Sequence, residues 1–348
     1  MLKIGGATVN QTPMDWANNT DNILKAIDAA RNANIAILCF PELCITGYGC
    51  EDWFLSEWLA ERAWNELMVI KEQCQNITIA VGLPVRIDGI TYNGCCVIHN
   101  QKILGITLKQ NLANDGVHYE PRWFKAWVPD HTQLLKKGND TIQVGDLVYD
   151  VHGIRFGFEI CEDGWRGKDR PGYRLHQRQV NLILNPSASH FAMGKSLLRE
   201  NEVVNAGSRL FNCAYVFVNL SGNEAGRMIY DGDIIISQQG KNLVTHPRLS
   251  FKPFNLAACL IDFRDPSNSE KFSPADNKDK KEELARAVAV ALFDYLRKSK
   301  SGGYVLSLSG GADSAACAIM VSEMVRRASD ELGWESFCEA LGIPLVSS

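Results

Sequence analysis

Two short runs, Ile35-Ala-Ile-Leu-Cys-Phe40 and Leu182-Ile-Leu-Asn185, are apolar at successive positions rather than at alternate ones. A strand of that kind has no side suited to water, so it belongs in a sheet covered on both faces. Further strands are expected at 2–9, 77–85, 92–99, 103–109, 154–161, 214–220, 231–237 and 256–263. The second and third of the central group are joined by Asn100-Gln101-Lys102, which reads as a hairpin turn. Between the strands lie helices. One is capped by Thr20 and carries Ile23, Leu24, Ile27 and Ala30 at helical spacing; another covers 57–73 with Trp58, Leu59, Leu67 and Ile70; a long one covers about 195–211. Many strands and few helices, several strands apolar on both faces, predict a layered α/β sandwich.

That rhythm breaks at 265–281, a polar stretch with two prolines and many charges that reads as a linker. Beyond it a helix is expected at 282–298, a strand at Gly303–Ser309, a tight turn at Gly310-Gly311 and a helix from Asp313 onward. The chain therefore divides into a first domain at 1–264 and the opening of a second α/β domain at 282–348, which reads as incomplete, stopping just past a further strand at Leu345-Val-Ser-Ser348. The 36 basic and 40 acidic residues give a net charge of -4, which offers no broad attraction to nucleic acid or anionic membrane. No apolar run reaches the ~18 residues of a membrane span and no signal-peptide core opens the chain, so a cytoplasmic protein is expected. The 11 cysteines are scattered, form no C-x-x-C pair and are not clustered with the seven histidines, which argues for reduced, mostly buried thiols and against a zinc site.

Three residues stand where buried-type strands end: Glu42 after Phe40-Pro41, Lys109 after Ile-Leu-Gly-Ile-Thr-Leu, and Cys161 after Ile-Arg-Phe-Gly-Phe-Glu-Ile. The carboxyl ends of strands form the usual ligand crevice of α/β sheets. Taken singly, each has an ordinary explanation: a packed thiol, a solvated loop acid, an edge lysine. Together they divide the labour of acyl transfer. A thiolate attacks a carbonyl carbon, a carboxylate moves protons, and an ammonium steadies charge on the oxygen. A second signature is Val305-Leu-Ser-Leu-Ser-Gly-Gly-Ala-Asp-Ser314. It is neither G-x-G-x-x-G nor a Walker A loop. Its glycines let backbone N–H groups approach an anion at a helix N-terminus, with Ser307, Ser309 and Ser314 as hydroxyl donors near Gly310 and Gly311. Asp313 is placed to cap the helix or to help hold a metal.

The segments Phe40-Pro-Glu-Leu-Cys-Ile-Thr-Gly-Tyr48, Leu108-Lys-Gln-Asn-Leu-Ala-Asn114 and Phe158-Glu-Ile-Cys-Glu-Asp-Gly-Trp165 resemble the three active-site motifs of the nitrilase superfamily. Asn181-Leu-Ile-Leu-Asn-Pro-Ser-Ala-Ser189 and Tyr230-Asp-Gly-Asp233 resemble its later motifs. The resemblance implies an α-β-β-α sandwich, with Cys161 as nucleophile, Glu42 as general base, Lys109 as oxyanion stabiliser and Glu120 as supporting carboxylate. The Ser-Gly-Gly-Ala-Asp-Ser segment resembles the pyrophosphate loop of ATP pyrophosphatases, which implies the start of a Rossmann-like domain binding ATP with Mg2+. The combination resembles the glutamine-dependent NAD synthetases, closest to their eukaryotic-type branch. It implies hydrolysis of L-glutamine, a tunnel for the ammonia, and ATP-dependent amidation of nicotinic acid adenine dinucleotide to NAD. It also implies glutamine contacts at Tyr48, Tyr119, Glu162 (through its backbone N–H), Ser189 and Lys195, and a homo-oligomer, up to an octamer. The alternative reading is an amidase or carbamoylase acting on another small amide, with the C-terminal segment vestigial.

Overall fold

The computed structural model describes residues 1–271 and 279–344. In chain order the strands are β1 (Leu2–Val9), β2 (Ile37–Cys39), β3 (Thr78–Ile87), β4 (Ile90–His99), β5 (Lys102–Leu108), β6 (Thr132–Lys137), β7 (Asp140–Gly145) and β8 (Tyr149–Val151). There follow β9 (Ile154–Phe158), β10 (Leu182–Ser187), β11 (Ala214–Asn219), β12 (Ser221–Asn223), β13 (Ile229–Asp231), β14 (Ile234–Gln238), β15 (Lys241–Thr245) and β16 (Phe254–Ile261). The α-helices are α1 (Trp16–Asn32), α2 (Glu57–Glu72), α3 (Gly172–Gln177), α4 (Lys195–Leu198), α5 (Ala206–Leu210), α6 (Lys280–Lys298), α7 (Ala312–Leu332) and α8 (Trp334–Leu341).

An eight-stranded sheet runs β16-β1-β2-β3-β4-β5-β7-β6 and a six-stranded sheet runs β15-β14-β11-β10-β9-β8. Their inner faces meet in a core that includes Ile37, Cys39, Val97, Phe156, Leu184, Val218 and Ile234. On the outer face of the first sheet, Ile23, Ile27, Leu59, Leu67 and Ile70 of α1 and α2 cover Leu38, Phe40 and Ile79. On the outer face of the second, Leu175 and Val203 cover Ile183, Tyr215 and Phe217. The layering is helix, sheet, sheet, helix. It accounts for the uninterrupted apolar runs: residues of one parity enter the central core, and those of the other are roofed by helices.

Several boundaries differ from the sequence expectation. Helix α1 starts at Trp16, capped by Asp15, while Thr20 lies inside it and donates its hydroxyl to Glu66 Oε2 at 2.7 Å. Thr20 has the chemistry of a cap, but Asp15 is better placed and Thr20 finds a buried carboxylate instead. The hairpin β6–β7 and the short strands β8 and β15 carry too few apolar side chains to be read in advance; along β6 only Leu135 is buried. The helix expected at about 195–211 is continuous but not uniform, with a wide π-turn over Arg199–Asn205 between α4 and α5. Asn100 and Gln101 close the β4–β5 hairpin with φ of 46° and 63°, the left-handed conformation a two-residue hairpin requires.

The largest departure is Gly303–Ser309, which forms no strand. Val305 is 100% and Leu308 68% exposed. A strand exists by pairing, and among the described residues from 279 to 344 there is no other strand for it to pair with. Most of the expected linker, 272–278, and the expected final strand at 345–348 lie outside the described residues. Helices α6, α7 and α8 form their own small core with Leu249 and Phe251, built on Val290, Phe293, Met324, Ala328 and Phe337. Helix α6 is fastened to the sandwich by Lys298, whose Nζ donates to Gln11 O and Asn223 O at 2.7 Å each, and by Asp294, which accepts from Asn223 N at 2.7 Å. None of the described helices is long and apolar enough to cross a membrane.

Candidate active site

The catalytic candidates come from loops that follow β2, β5 and β9. Glu42 lies three residues beyond β2, where the chain turns sharply and Leu43 adopts φ 51°. The turn packs directly on Gly82 of β3. A Cβ at Gly82 would stand 2.6 Å from Pro41 O and 2.9 Å from the Glu42 carbonyl carbon, and would overlap Leu43 N. Backbone cannot yield as a flexible side chain can. Gly82→Ala is therefore expected to push Glu42 out of place, costing about 1–3 kcal/mol in stability and ~10²-fold in turnover. Denaturation curves and steady-state kinetics measure the two effects; a fully active G82A protein would contradict this placement.

Glu42 is 1%, Lys109 1% and Glu120 0% exposed. Lys109 Nζ donates to Glu42 Oε1 at 2.5 Å and to Glu120 Oε1 at 2.8 Å, bridging two buried carboxylates. Each carboxylate accepts two further hydrogen bonds. Asn93 Nδ2 donates to Glu42 Oε1 at 2.7 Å and Ala188 N to Glu42 Oε2 at 3.0 Å. Ala113 N donates to Glu120 Oε2 at 2.9 Å and the Tyr48 hydroxyl to Glu120 Oε1 at 2.8 Å. Burial alone would discharge Lys109, but Glu120 and Glu42 outweigh it and hold its pKa well above the lysine range. For Glu42 burial dominates and the charge of Glu120 adds to it, so its carboxyl sits above the ordinary glutamate value despite Lys109.

Cys161 does not end β9, as the sequence suggested; it opens a single 3-10 turn, Cys161–Trp165, three residues beyond the strand. It holds φ at 48°, a conformation that costs a non-glycine residue on the order of 1–3 kcal/mol. The turn is pinned by Asp163, whose carboxylate accepts from Ile160 N at 3.0 Å and from Asn111 N at 2.8 Å, tying the thiol loop to the loop after Lys109. Burial pushes the Asp163 carboxyl up to about 7. Glu159 anchors the strand end, accepting from Tyr215 OH and Arg170 Nη2 at 2.6 Å each. Burial first, then the charge of Glu42, raises the Cys161 pKa far above its ordinary value, against the pull of Lys109 and of the Ala188 N–H. The resting group is a thiol with a carboxylate base at hand.

These directions set the pH dependence. With Glu42 as the candidate base, kcat/KM is expected to rise with pH through a value above the ~4.3 of a free glutamate. The thiol stays protonated at neutral pH, so no further rise is expected near ~8.5. A pH profile of kcat/KM checks both; a rise near the free-thiol value would mean that the thiolate forms in advance.

A cavity of about 250 Å³ opens beside this cluster, lined among others by Tyr48, His118, Tyr119, Glu224, Arg227 and Tyr230. Of the expected glutamine contacts, Tyr48 and Tyr119 line it; Tyr119 also packs against Trp123 in a tilted pair with ring centroids 4.8 Å apart and accepts from Arg227 Nη2 at 3.1 Å. Glu162 pairs with Arg166 at 3.3 Å. Ser189 is buried, its hydroxyl and carbonyl oxygens each accepting from Arg199 Nη2 at 3.2 Å. Lys195 stands 3.1 Å from His190 Nε2. Sequence reasoning did not single out Asn93, His118, His190, Glu224 or Tyr230. Glu224 holds the backbone beside Tyr48, accepting from Tyr48 N at 2.8 Å and Gly49 N at 2.7 Å. Among the described residues the buried Tyr230 OH has no hydrogen-bond partner; it faces Glu224, Glu42 and Glu120, with the Cys161 thiol beside them. An asparagine within an apolar strand was a usable signal for Asn93; Glu224 sits in a loop with none.

The second signature lies apart. Ser307, Ser309, Gly310, Gly311, Asp313 and Ser314 form an exposed segment entering the 21-residue α7, with Gly310 at φ 82° and Ser309 Oγ 3.2 Å from Ser314 Oγ. Backbone N–H groups at the start of a long helix suit an anion. Magnesium finds a poorer fit: Asp313 is the one acid in the loop, and among the described residues no group of three His, Cys, Asp or Glu could hold a metal ion.

The helix–sheet–sheet–helix layering and a buried Glu–Lys–Glu cluster beside a strained thiol define the class. The chain belongs to the carbon-nitrogen hydrolase family, whose model matches residues 3–250. Within it, the chain is similar to glutamine-dependent NAD(+) synthetases. The crystal structure of such an enzyme from Cytophaga hutchinsonii superposes with a TM-score of 0.88 at 49% identity, covering 98% of this chain and 55% of that one. The Acinetobacter baumannii enzyme in complex with adenosine diphosphate gives 0.80 at 25% identity, covering 94% of this chain and 58% of that one. A putative glutamine-dependent NAD(+) synthetase of Schizosaccharomyces pombe is 29% identical over 93% of this chain and 53% of its own. The chain spans about half the length of the curated relatives it matches.

Proposed function

We propose that this chain carries the glutaminase half of a glutamine-dependent NAD synthetase and the start of its synthetase half. The observation that carries this reading is the buried Glu42–Lys109–Glu120 bridge beside Cys161, in a chain similar to such synthetases along 98% of its length. In this reading Glu42 takes the proton of Cys161, and the sulfur attacks the carboxamide carbon of glutamine. Lys109 and the N–H of Glu162 face the oxygen as negative charge develops on it. Glu42 returns the proton to the departing nitrogen and ammonia leaves. Water, deprotonated by Glu42, then cleaves the thioester to glutamate. No histidine need touch the sulfur. Tyr48 and Tyr119 line the entrance, and Ser189 and Lys195 are the proposed contacts for the amino-acid end of glutamine.

The division into 1–264 and 282–348, with 265–281 between, belongs to the same proposal. In the whole protein the loop from Ser307 to Ser314 would bind the phosphates of ATP, whose adenylation of nicotinic acid adenine dinucleotide lets ammonia displace AMP. A cytoplasmic homo-oligomer, up to an octamer, completes the reading. The test is release of glutamate and ammonia from L-glutamine, measured against a panel of other small amides. Cleavage of glutamine in preference to the panel supports the reading; indifference to glutamine with cleavage of another amide would replace it with the amidase alternative.

A further inference from the structure

Amide hydrolysis that hands on neutral ammonia leaves a proton behind: a carboxamide and water give a carboxylate, ammonia and one proton. Resting on the glutaminase reading above, the proton is left in a buried site, since Glu42, Lys109 and Glu120 are all at most 1% exposed and the water that reaches Glu42 is consumed in the reaction. Glutamine in the cavity would fill the direct way out.

A continuous line of hydrogen bonds leads from Glu120 toward the surface. Tyr48 OH is 2.8 Å from Glu120 Oε1 and 3.1 Å from His118 Nδ1. His118 Nε2 is 3.0 Å from His190 Nδ1, and Lys195 Nζ is 3.1 Å from His190 Nε2 and 3.3 Å from its Nδ1. One assignment satisfies every link with Glu120 ionised and both imidazoles neutral. Lys195 donates to His190 Nε2, His190 Nδ1–H to His118 Nε2, His118 Nδ1–H to Tyr48, and Tyr48 to Glu120. The mirror assignment, each donor pointing outward, requires a protonated Glu120 and a neutral Lys195 amine. The two differ by one proton moved from end to end, with no atom left over.

We propose that Tyr48, His118, His190 and Lys195 form a relay that carries the proton of each turnover from Glu120 to solvent. Glu42–H, charged by the hydrolytic water, gives its proton to Lys109 as the ammonium passes one of its own to Glu120. Glu120–H then gives its proton to the Tyr48 oxygen, Tyr48 gives its own to His118 Nδ1, His118 Nε2–H passes to His190 Nδ1, and His190 Nε2–H passes to Lys195. The ammonium then releases it to water and the line turns back. The surroundings suit a transit path. Burial and Arg199 lower the Lys195 pKa, which speeds release, and burial keeps His190 and, at about 4, His118 neutral. The other charges facing these groups are Asp115, Asp231 and Lys109, with the Cys161 thiol beside them. His118 and His190 are transfer groups that act on the reacting atoms through Tyr48 and Glu120; Tyr48 and Lys195 also belong to the proposed glutamine site, so Lys195 releases the proton once glutamate has left it.

The test replaces each imidazole with an amide that keeps a hydrogen bond but cannot pass a proton: His190→Gln and His118→Asn. Glutamate release is followed with rising imidazole in the buffer. The expected result for both variants is a kcat lowered by ~10–10²-fold, within the range of general acid–base contributions, with a dose-dependent recovery of kcat with imidazole; KM is expected to stay unchanged in His190→Gln, whereas His118 lines the cavity and its replacement also moves KM. Unchanged kcat in both variants would overturn the relay. So would a raised KM without recovery by imidazole, which would make the histidines part of the glutamine pocket. If His118→Asn fails to fold, His190→Gln alone decides. A wild-type chain that releases no glutamate overturns the glutaminase reading itself, a result distinct from either.

Discussion

Replacing Lys109 with alanine is expected to abolish glutamate release and to lower stability by about 3–5 kcal/mol, the range for breaking a buried ion pair on one side. The magnitude follows from the geometry. Lys109 is the cation between Glu42 and Glu120, donating at 2.5 and 2.8 Å, and all three side chains are fully buried. Without it, two buried carboxylates face each other and repel, so at least one takes up a proton to remain inside. Removing all three charges together should behave differently. A Lys109→Met, Glu42→Gln, Glu120→Gln protein leaves no unpaired charge and is expected to regain much of the lost stability while staying inactive. Denaturant unfolding of the single and triple variants measures this. A K109A protein within ~0.5 kcal/mol of wild type, the range of ordinary surface changes, would mean that the bridge is not formed.

Cys161→Ala should separate activity from stability in the opposite way. The thiol is small and buried, makes no ion pair, and its loop is held by Asp163 and Glu159 rather than by sulfur. The variant is expected to fold with a Tm close to wild type and to lose glutamate release by on the order of 10⁴-fold or more, as when other covalent nucleophiles are removed. Undiminished release would remove Cys161 from the chemistry. A large fall in Tm would show that the residue is held in its left-handed conformation for packing.

How much of this was legible in the sequence depended on range. Glu42, Lys109 and Cys161 could be singled out because each follows an apolar run that can only be a buried strand, and strand ends are where sites gather. The same runs predicted a layered α/β sandwich; its α-β-β-α order was what the resemblance to the nitrilase superfamily implied. What escaped was set by contacts between distant segments. Glu224 supports the backbone beside Tyr48 from 176 residues away, and His190 meets His118 across 72. No local pattern marks either. The β6–β7 hairpin escaped because an edge hairpin buries few side chains, and Thr20 misled because capping chemistry also suits an interior hydroxyl with a buried partner. Gly303–Ser309 misled for a further reason: β-propensity describes fitness for a sheet, and the described residues around it provide no sheet to join.

The central claim is that Cys161 forms an acyl bond with glutamine under the control of Glu42 and Lys109. It is tested most directly by quenching the protein with acid during turnover of L-glutamine and mapping its peptides by mass. The account predicts one glutamyl group, confined to the peptide that carries Cys161 and absent from Cys161→Ala. Steady release of glutamate with no adduct on that peptide, and at the same rate in Cys161→Ala, would contradict it.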